Sequence, residues 1–210
     1  MHKQYPRLPQ IILPNVTEPT DQLRTIIKKR ESFRNFSGKP IRLAVLSDIL
    51  YYSAGITRPN PEENLNPFRA YPSAGAKYPL EVYTLVLKGK DIKPGLYHYN
   101  PSAHSLEVLL RPVQLKEIEP IWTTQEWFRK AAVIILLTSV FSRTTSKYGE
   151  RGIKFPYLEA GHLVQNLYLL ATSLNLGCCA IGLLKEELLI KLLDINPREE
   201  YPIYYVALGN

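Results

Sequence analysis

The chain has 210 residues, of which 45% are apolar and 21% charged. That is the balance of one globular domain, and it excludes a disordered, collagen-like or disulfide-scaffold protein. The formal net charge is +7, and nine Lys/Arg against three Asp/Glu place most of it in residues 1–42. A basic excess suggests nucleic acid, an anionic membrane or phosphate ligands, and its local placement equally suits a solvated helix end.

The chain opens with four of its seventeen prolines in residues 1–19, which predicts an extended arm ahead of a domain over 20–210. Thr20 or Asp21 is placed to cap a short helix through Arg30, with Leu23, Ile26 and Ile27 as its apolar stripe. A second helix is predicted over 43–54, with Leu43, Leu46, Ile49 and Leu50 inward and Gly55 closing it. The Pro/Asn-rich stretch 57–72 has no periodicity and reads as a loop. Strand patterns follow at 82–87, 95–99 and 106–110, separated by turn residues, and predict a meander. The run Ala131 to Thr138 is apolar and β-branched, suiting a central strand buried on both faces. The longest helix is expected over 156–175, with Leu158, Leu163, Val164, Leu167, Leu170, Ala171 and Leu174 leaving little polar face. A strand at 179–184, a helix at 185–194 and a last strand at 204–208 complete an α+β domain.

Several chemistries are not supported. The longest apolar run, Ala131 to Leu137, is far short of the roughly 18 residues of a membrane span. The first fifteen residues lack the apolar core of a secretory signal. Adjacent Cys178 and Cys179 read as buried residues entering a strand, so a cytoplasmic protein without membrane contact is expected. His2, His98, His104 and His162 show no metal-ligand spacing, so no metal is expected. There is no nucleophile elbow, Walker loop or G-x-G-x-x-G.

Three segments hold residue types that suit one site. Arg30-Glu31-Ser32-Phe33-Arg34 sets two guanidiniums and a hydroxyl just past a helix, a donor set for phosphate or, equally, a surface turn or a nucleic-acid contact. Pro72-Ser73-Ala74-Gly75 is a loop of small residues that permits close approach of a flat ligand or simply feeds the next strand. Glu159-Ala160-Gly161-His162 puts glycine early in a buried helix, where a ligand at free amides or tight helix packing explains it. Gly177 to Gly182 closes the set.

In order, R-E-S-F-R-N-F, R-A-Y-P-S-A-G-A-K-Y-P-L-E-V-Y, G-L-Y-H-Y-N-P, K-Y-G-E-R-G-I-K-F and L-E-A-G-H-L-V-Q-N-L-Y-L-L-A resemble the nitroreductase family of flavin enzymes over about residues 20–209. Within it they are most similar to the SagB-type dehydrogenases. The resemblance implies a nitroreductase-like fold, with a mixed, mostly antiparallel sheet flanked by helices, and an intertwined homodimer with FMN at the subunit interface. It implies that Arg30 and Ser32 hold the FMN phosphate and that Arg34 lies near the ribityl chain and the N1–C2=O edge. By the same match Pro72, Ser73, Ala74 and Gly75 reach the ring from the partner subunit, Ala160 and Gly161 face N5 and O4, and Ile181 and Gly182 lie close by. A cation at N1–C2=O stabilises the reduced flavin.

Three departures qualify the match. The sequence stops at Leu208-Gly209-Asn210, where many relatives continue and add a basic phosphate ligand. Ala76 stands where nitroreductases often carry Asn. Azoline-oxidising relatives use a Lys-Tyr base pair, aligned here with Lys154-Phe155; Lys154 is the candidate catalytic base if burial lowers its pKa, and thiazole or oxazole synthesis is not expected. The leading expectation is therefore an FMN-dependent oxidoreductase that passes hydride between NAD(P)H or an organic donor and a small-molecule acceptor. The competing expectations are a non-enzymatic nucleic-acid or anion binder using the basic N-terminal segment, and a flavin-fragmenting or dehalogenating enzyme of the same fold. The loop 57–70 and segment 139–156 are expected to border the substrate pocket.

Overall fold

A computed structural model describes residues 22–62, 66–110, 118–121, 126–182 and 185–210. The extended arm and the Thr20/Asp21 cap lie outside these residues. Helices α1 (Gln22–Lys29) and α2 (Leu43–Ala54) are followed by the two-stranded ribbon β1 (Ile56–Arg58) and β2 (Phe68–Arg69) and a tight turn, Ala74–Ala76. Then come β3 (Leu80–Val86), β4 (Gly95–Asn100), β5 (Ser105–Leu110), β6 (Val133–Ser139), α3 (Ser142–Tyr148), α4 (Lys154–Ser173), β7 (Gly177–Ile181), α5 (Glu186–Leu193) and β8 (Tyr201–Gly209).

The main sheet has the order β5-β4-β3-β6-β8-β7, and every neighbouring pair in it is antiparallel. The expected meander is β3-β4-β5. The parallel element of the mixed sheet reduces, among the described residues, to one isolated bridge, Ile41 with Gly89.

Side-chain alternation explains the continuous apolar run of β6, because a strand covered on both faces needs apolar residues at every position. Val133, Ile135 and Leu137 face the core formed with α2 and α4. Ile134 and Leu136 face a second core with Leu189 and Leu193 of α5 and with Phe36, Ile118 and Phe128. Cys178 and Cys179 are free and buried, as their sequence context suggested.

Three apolar expectations are corrected. Leu23 and Ile27 of α1 are 58% and 52% exposed, and no residue of that helix is buried. In α2, Leu46, Ile49 and Leu50 are buried, but Leu43 is 39% exposed. In α4, Leu158 and Leu174 face outward with Tyr157, while Leu163, Val164, Leu167 and Ala171 face the sheet. A helix on one side of a sheet buries only the arc turned toward it, so the remaining apolar positions of α1 and α4 stand uncovered in the single chain.

Helix α3 and the turn after it were not legible in the sequence. Ser142-Arg143-Thr144-Thr145-Ser146-Lys147-Tyr148 has no apolar period and is rich in residues that compete for the backbone. Its hydroxyls instead bond backward, Thr144 and Thr145 to the Phe141 carbonyl at 3.1 and 3.2 Å and Ser146 to that of Arg143 at 3.3 Å.

Candidate active site

The basic segment after α1 is tied to the edge of the sheet. The Phe33 amide donates to the Cys178 carbonyl at 2.9 Å, and the Phe33 ring occupies the space where a side chain on Gly177 would lie, 2.2 Å from its Cβ position. That close approach accounts for the glycine at the start of β7.

Tyr168 of α4 draws three segments together. Its hydroxyl accepts the Ala180 amide at 2.8 Å and lies 3.1 Å from the Ser32 hydroxyl. The Arg30 guanidinium lies 5.2 Å from the centre of its ring, a stacking distance for a cation on an aromatic face. Arg30, Ser32 and β7 are thus held on one hub that the sequence reading missed. The one signal for it was a tyrosine among leucines on α4. Arg34 is exposed, with its charge beside the Cys179 thiol; burial pushes that thiol's pKa up and Arg34 partly offsets it.

Gly161 lies seven residues before Tyr168, which places it on the same side of α4 and about 10 Å along the axis. Among the described residues, chain neighbours and the helix's own backbone aside, no atom lies within 4 Å of the Cβ position of Gly161 or of Gly182, and both are exposed, whereas Ala160 and Ile181 are buried. Neither expected reason for Gly161, free helix amides or tight helix packing, holds, since its Cβ position is open. α4 begins at Lys154, and only the first four amides of a helix are free, so the amides of Ala160 and Gly161 belong to the helical ladder. What these positions offer is an open, side-chain-free surface for a flat ring.

The loop from Pro72 to Gly75 sits elsewhere on the same helix. The Ala74 amide donates to Glu159 Oε1 at 3.0 Å, and the Tyr78 amide donates to the Ser73 hydroxyl at 2.8 Å. Gly75 adopts φ +59, the left-handed region that glycine tolerates. A Cβ there would lie 2.6 Å from the Tyr148 hydroxyl and 3.0 Å from Lys147 Nζ. Glu159 is only 3% exposed and its Oε2 has no partner among the described residues. Burial raises its pKa to about 7, against hydrogen bonds from Ala74 and Ser73 and the charge of Arg69.

Glu159 and Tyr168 are nine residues apart, which at 3.6 residues per turn is about half a revolution and about 13 Å along the axis. One chain therefore holds the Arg30–Ser32 cluster and the Pro72–Gly75 loop on opposite flanks of α4 and does not bring them together.

The expectation for Lys154 is also corrected. It is exposed at the first residue of α4, its Nζ 5.7 Å from the centre of the neighbouring Phe155 ring, so the burial required of a lysine base is missing. The Lys-Tyr pair set against the loop is Lys147-Tyr148, visible in the sequence as a dipeptide but assigned no role there. Segments 57–70 and 139–156 do meet, around a cavity of about 490 Å³ bounded by Arg58, Arg69, Tyr71, Pro72 and Lys147. A separate cavity of about 540 Å³ between α2 and the β4–β5 hairpin holds none of the expected residues.

An antiparallel sheet flanked by helices, with a cationic cluster beside an uncovered glycine surface, is a scaffold for a planar anionic cofactor. The chain belongs to the Nitroreductase family, whose model matches residues 27–210, and is thus an oxidoreductase of that family. A Methanocaldococcus jannaschii protein named as a nitroreductase is 33% identical over 200 residues, covering 95% of this chain and 96% of its own. The Escherichia coli microcin B17-processing protein McbC is 24% identical over 151 residues. That match takes in 68% of this chain and 54% of McbC, so it spans about half of McbC's length. A Desulfovibrio desulfuricans protein described as a nitroreductase, solved in complex with FMN, shares the fold at a TM-score of 0.60 and 18% identity, over 91% of this chain and 87% of its own. Among the described residues no helix is long and apolar enough to cross a membrane.

Proposed function

We propose that the chain is an FMN-dependent oxidoreductase of the SagB-type branch that works as a homodimer on a small-molecule substrate, with NAD(P)H as a candidate electron donor. The observation that carries this reading is the convergence of Arg30, Ser32 and β7 on Tyr168, on the side of α4 where Gly161 leaves an open surface. The arrangement fits FMN by the chemistry of its donors: a guanidinium and a hydroxyl suit a phosphate, and an uncovered glycine surface suits a flat ring. The similarity to McbC supports the SagB-type branch.

When bound, FMN would supply reversible two-electron chemistry. Arg30 and Ser32 would hold its phosphate, and Arg34 would supply a positive charge that favours the reduced form. Gly161 and Gly182 would offer their open surface to the ring, with the buried Ala160 and Ile181 behind them. Pro72, Ser73, Ala74 and Gly75 belong to a site completed by a second copy, because within one chain they lie across α4 from Arg30. The exposed Leu23, Ile27, Tyr157 and Leu158 supply apolar surface for such a dimer. Lys147 and Tyr148 place an ammonium and a phenol at the loop, where each can donate a proton or hydrogen bond to a substrate. The free, buried cysteines fit a reducing, cytoplasmic setting.

The test is a visible absorption spectrum of the purified chain titrated with FMN, followed by anaerobic addition of NADH and NADPH. The reading requires a stable flavin spectrum, a rise in melting temperature with FMN and bleaching by a reduced donor. A chain that neither binds FMN nor gains stability from it overturns the proposal.

A further inference from the structure

The cavity behind the Pro72–Gly75 loop has an unusual charge content. Among the described residues three cations line it, Arg58, Arg69 and Lys147, against one carboxylate, Glu62. Among the described residues none of the three cations takes part in a salt bridge. Each instead rests on an aromatic face. The Arg58 guanidinium lies 4.7 Å from the centre of the Phe68 ring, that of Arg69 5.0 Å from Tyr78, and Lys147 Nζ 5.4 Å from Tyr148. A guanidinium held over a ring rather than by a carboxylate keeps N–H donors available, and these form the fork that matches a carboxylate or phosphate.

A buried polar atom in the same wall is independent of the cations. Tyr71 is 1% exposed and lines the cavity, yet its hydroxyl has no hydrogen-bond partner among the described residues. Burial pushes its pKa up and the charge of Glu159 adds to that, while Arg69, near enough to donate to the phenol oxygen, partly offsets it. The phenol therefore stays protonated, a neutral donor without an acceptor. A buried donor is ordinarily paired, so the missing acceptor points to a group that the cavity receives. The ribbon itself is braced: Asn60 Nδ2 donates to the Asn66 carbonyl at 2.9 Å, Asn66 Nδ2 to that of Ala76 at 2.9 Å, and the Arg69 amide to the Tyr78 hydroxyl at 2.9 Å. The cations are thus presented from a tied segment.

We infer that this cavity recognises an anionic group, a carboxylate or phosphate on a compact organic molecule, through Arg58, Arg69 and the Tyr71 hydroxyl, and so selects anionic over neutral ligands for the adjoining site. The link to turnover rests on the flavin reading above, since the loop that walls the cavity is the one proposed to meet the cofactor; the binding itself does not. Two sources supply such a group, the carboxylate of a substrate or the extra phosphate that distinguishes NADPH from NADH.

The test titrates the full chain calorimetrically, with and without FMN, using 4-nitrobenzoate against neutral 4-nitrobenzamide, and NADPH against NADH. The inference expects at least one anionic member to bind about tenfold or more tightly than its counterpart, the discrimination of one charge-assisted fork. Preference within the first pair assigns the group to a substrate carboxylate; preference confined to the second assigns it to the donor phosphate. Arg58→Gln, at an exposed edge of the ribbon, should cut the preference to about threefold or less, and Arg69→Lys should retain only part of it. Lys191→Gln on α5 removes the same charge elsewhere and should leave the preference intact. Equal affinity within both pairs, or a preference that Arg58→Gln leaves unchanged or Lys191→Gln abolishes equally, overturns the inference. Melting curves of each variant separate lost binding from lost folding. Failure to bind FMN with the anion preference intact counts against the flavin reading alone.

Discussion

Glu159→Gln tests the placement of the loop on α4 through pH. The carboxyl is 3% exposed, and burial moves its pKa from 4.5 to about 7. A folded-state pKa above the unfolded one means that the native state holds the proton more tightly. Stability is then greatest below pH 4.5, falls as the pH rises toward 7 and stays low above it. At about 1.4 kcal/mol per pH interval the loss is about 3 kcal/mol, or about 6–12 °C in Tm for a chain of this size. Glutamine keeps an acceptor for the Ala74 amide and has no charge to bury. Its amide nitrogen, placed where Oε2 has no partner, costs about 1–3 kcal/mol at every pH, so the diagnostic is slope rather than level. Urea unfolding from pH 4 to 8.5 should show the difference between wild type and variant moving by about 3 kcal/mol in favour of the variant, most of it between pH 4.5 and 7. A difference that is flat with pH would refute the argument, and with it the burial of Glu159 beneath the loop.

Gly161→Ala should move two quantities in opposite directions: removing a glycine from a helix interior adds about 0.5–1 kcal/mol of stability to the FMN-free chain, while a methyl on the open surface weakens FMN binding in a fluorescence titration. Tyr168→Phe deletes the hydroxyl shared by Ser32 and the Ala180 amide; leaving that amide unpaired should cost about 1–3 kcal/mol by chemical denaturation and loosen FMN as well. His98 lies 3.0 Å from Glu81 and 2.8 Å from Glu107, and Arg143 lies 2.5 Å from Glu81. The hydrogen bond to Glu81 raises the His98 pKa against the opposing effect of burial. Burial alone would raise that of Glu81, but His98 and Arg143 outweigh it and hold it low. The histidine's contribution is complete below pH 6.5 and is lost as the pH rises through its raised value; that of Glu81 is complete above pH 4.5 and is lost in acid. His98→Gln should therefore cost most near pH 5.5, about 1–2 kcal/mol, and progressively less toward pH 8, as read from denaturation curves at each pH.

How much was legible followed from how local the signal was. β6 was visible because burial on both faces forces every residue to be apolar, and α2 because its period of 3.6 is clean. α3 was invisible because hydroxyls bonded to the preceding turn, rather than an apolar stripe, hold it. In the site, Arg30, Ser32 and the small residues of the loop stood out by residue type. Tyr168 did not, because a tyrosine on an apolar helix looks like core until its hydroxyl is seen between Ser32 and Ala180. Lys147 and Tyr148 went unassigned because nothing local connects them with Gly75, 72 and 73 residues earlier in the chain.

By itself the sequence determined most of the element types, the family motifs and the location of the charge, since period, turn chemistry and composition act over a few residues. It placed the basic excess in the first 42 positions and made Arg30 and Arg34 candidates there for an anionic ligand. Only the tertiary structure decided what each cation faces. It set Arg30 on Tyr168, put Glu159 half a turn away beneath the Pro72–Gly75 loop, and gathered Arg58, Arg69 and Lys147 around one cavity. The physical reason is that charges and hydroxyls act through space over a few ångströms, and their partners come from strands and helices whose separation along the chain carries no record of that distance.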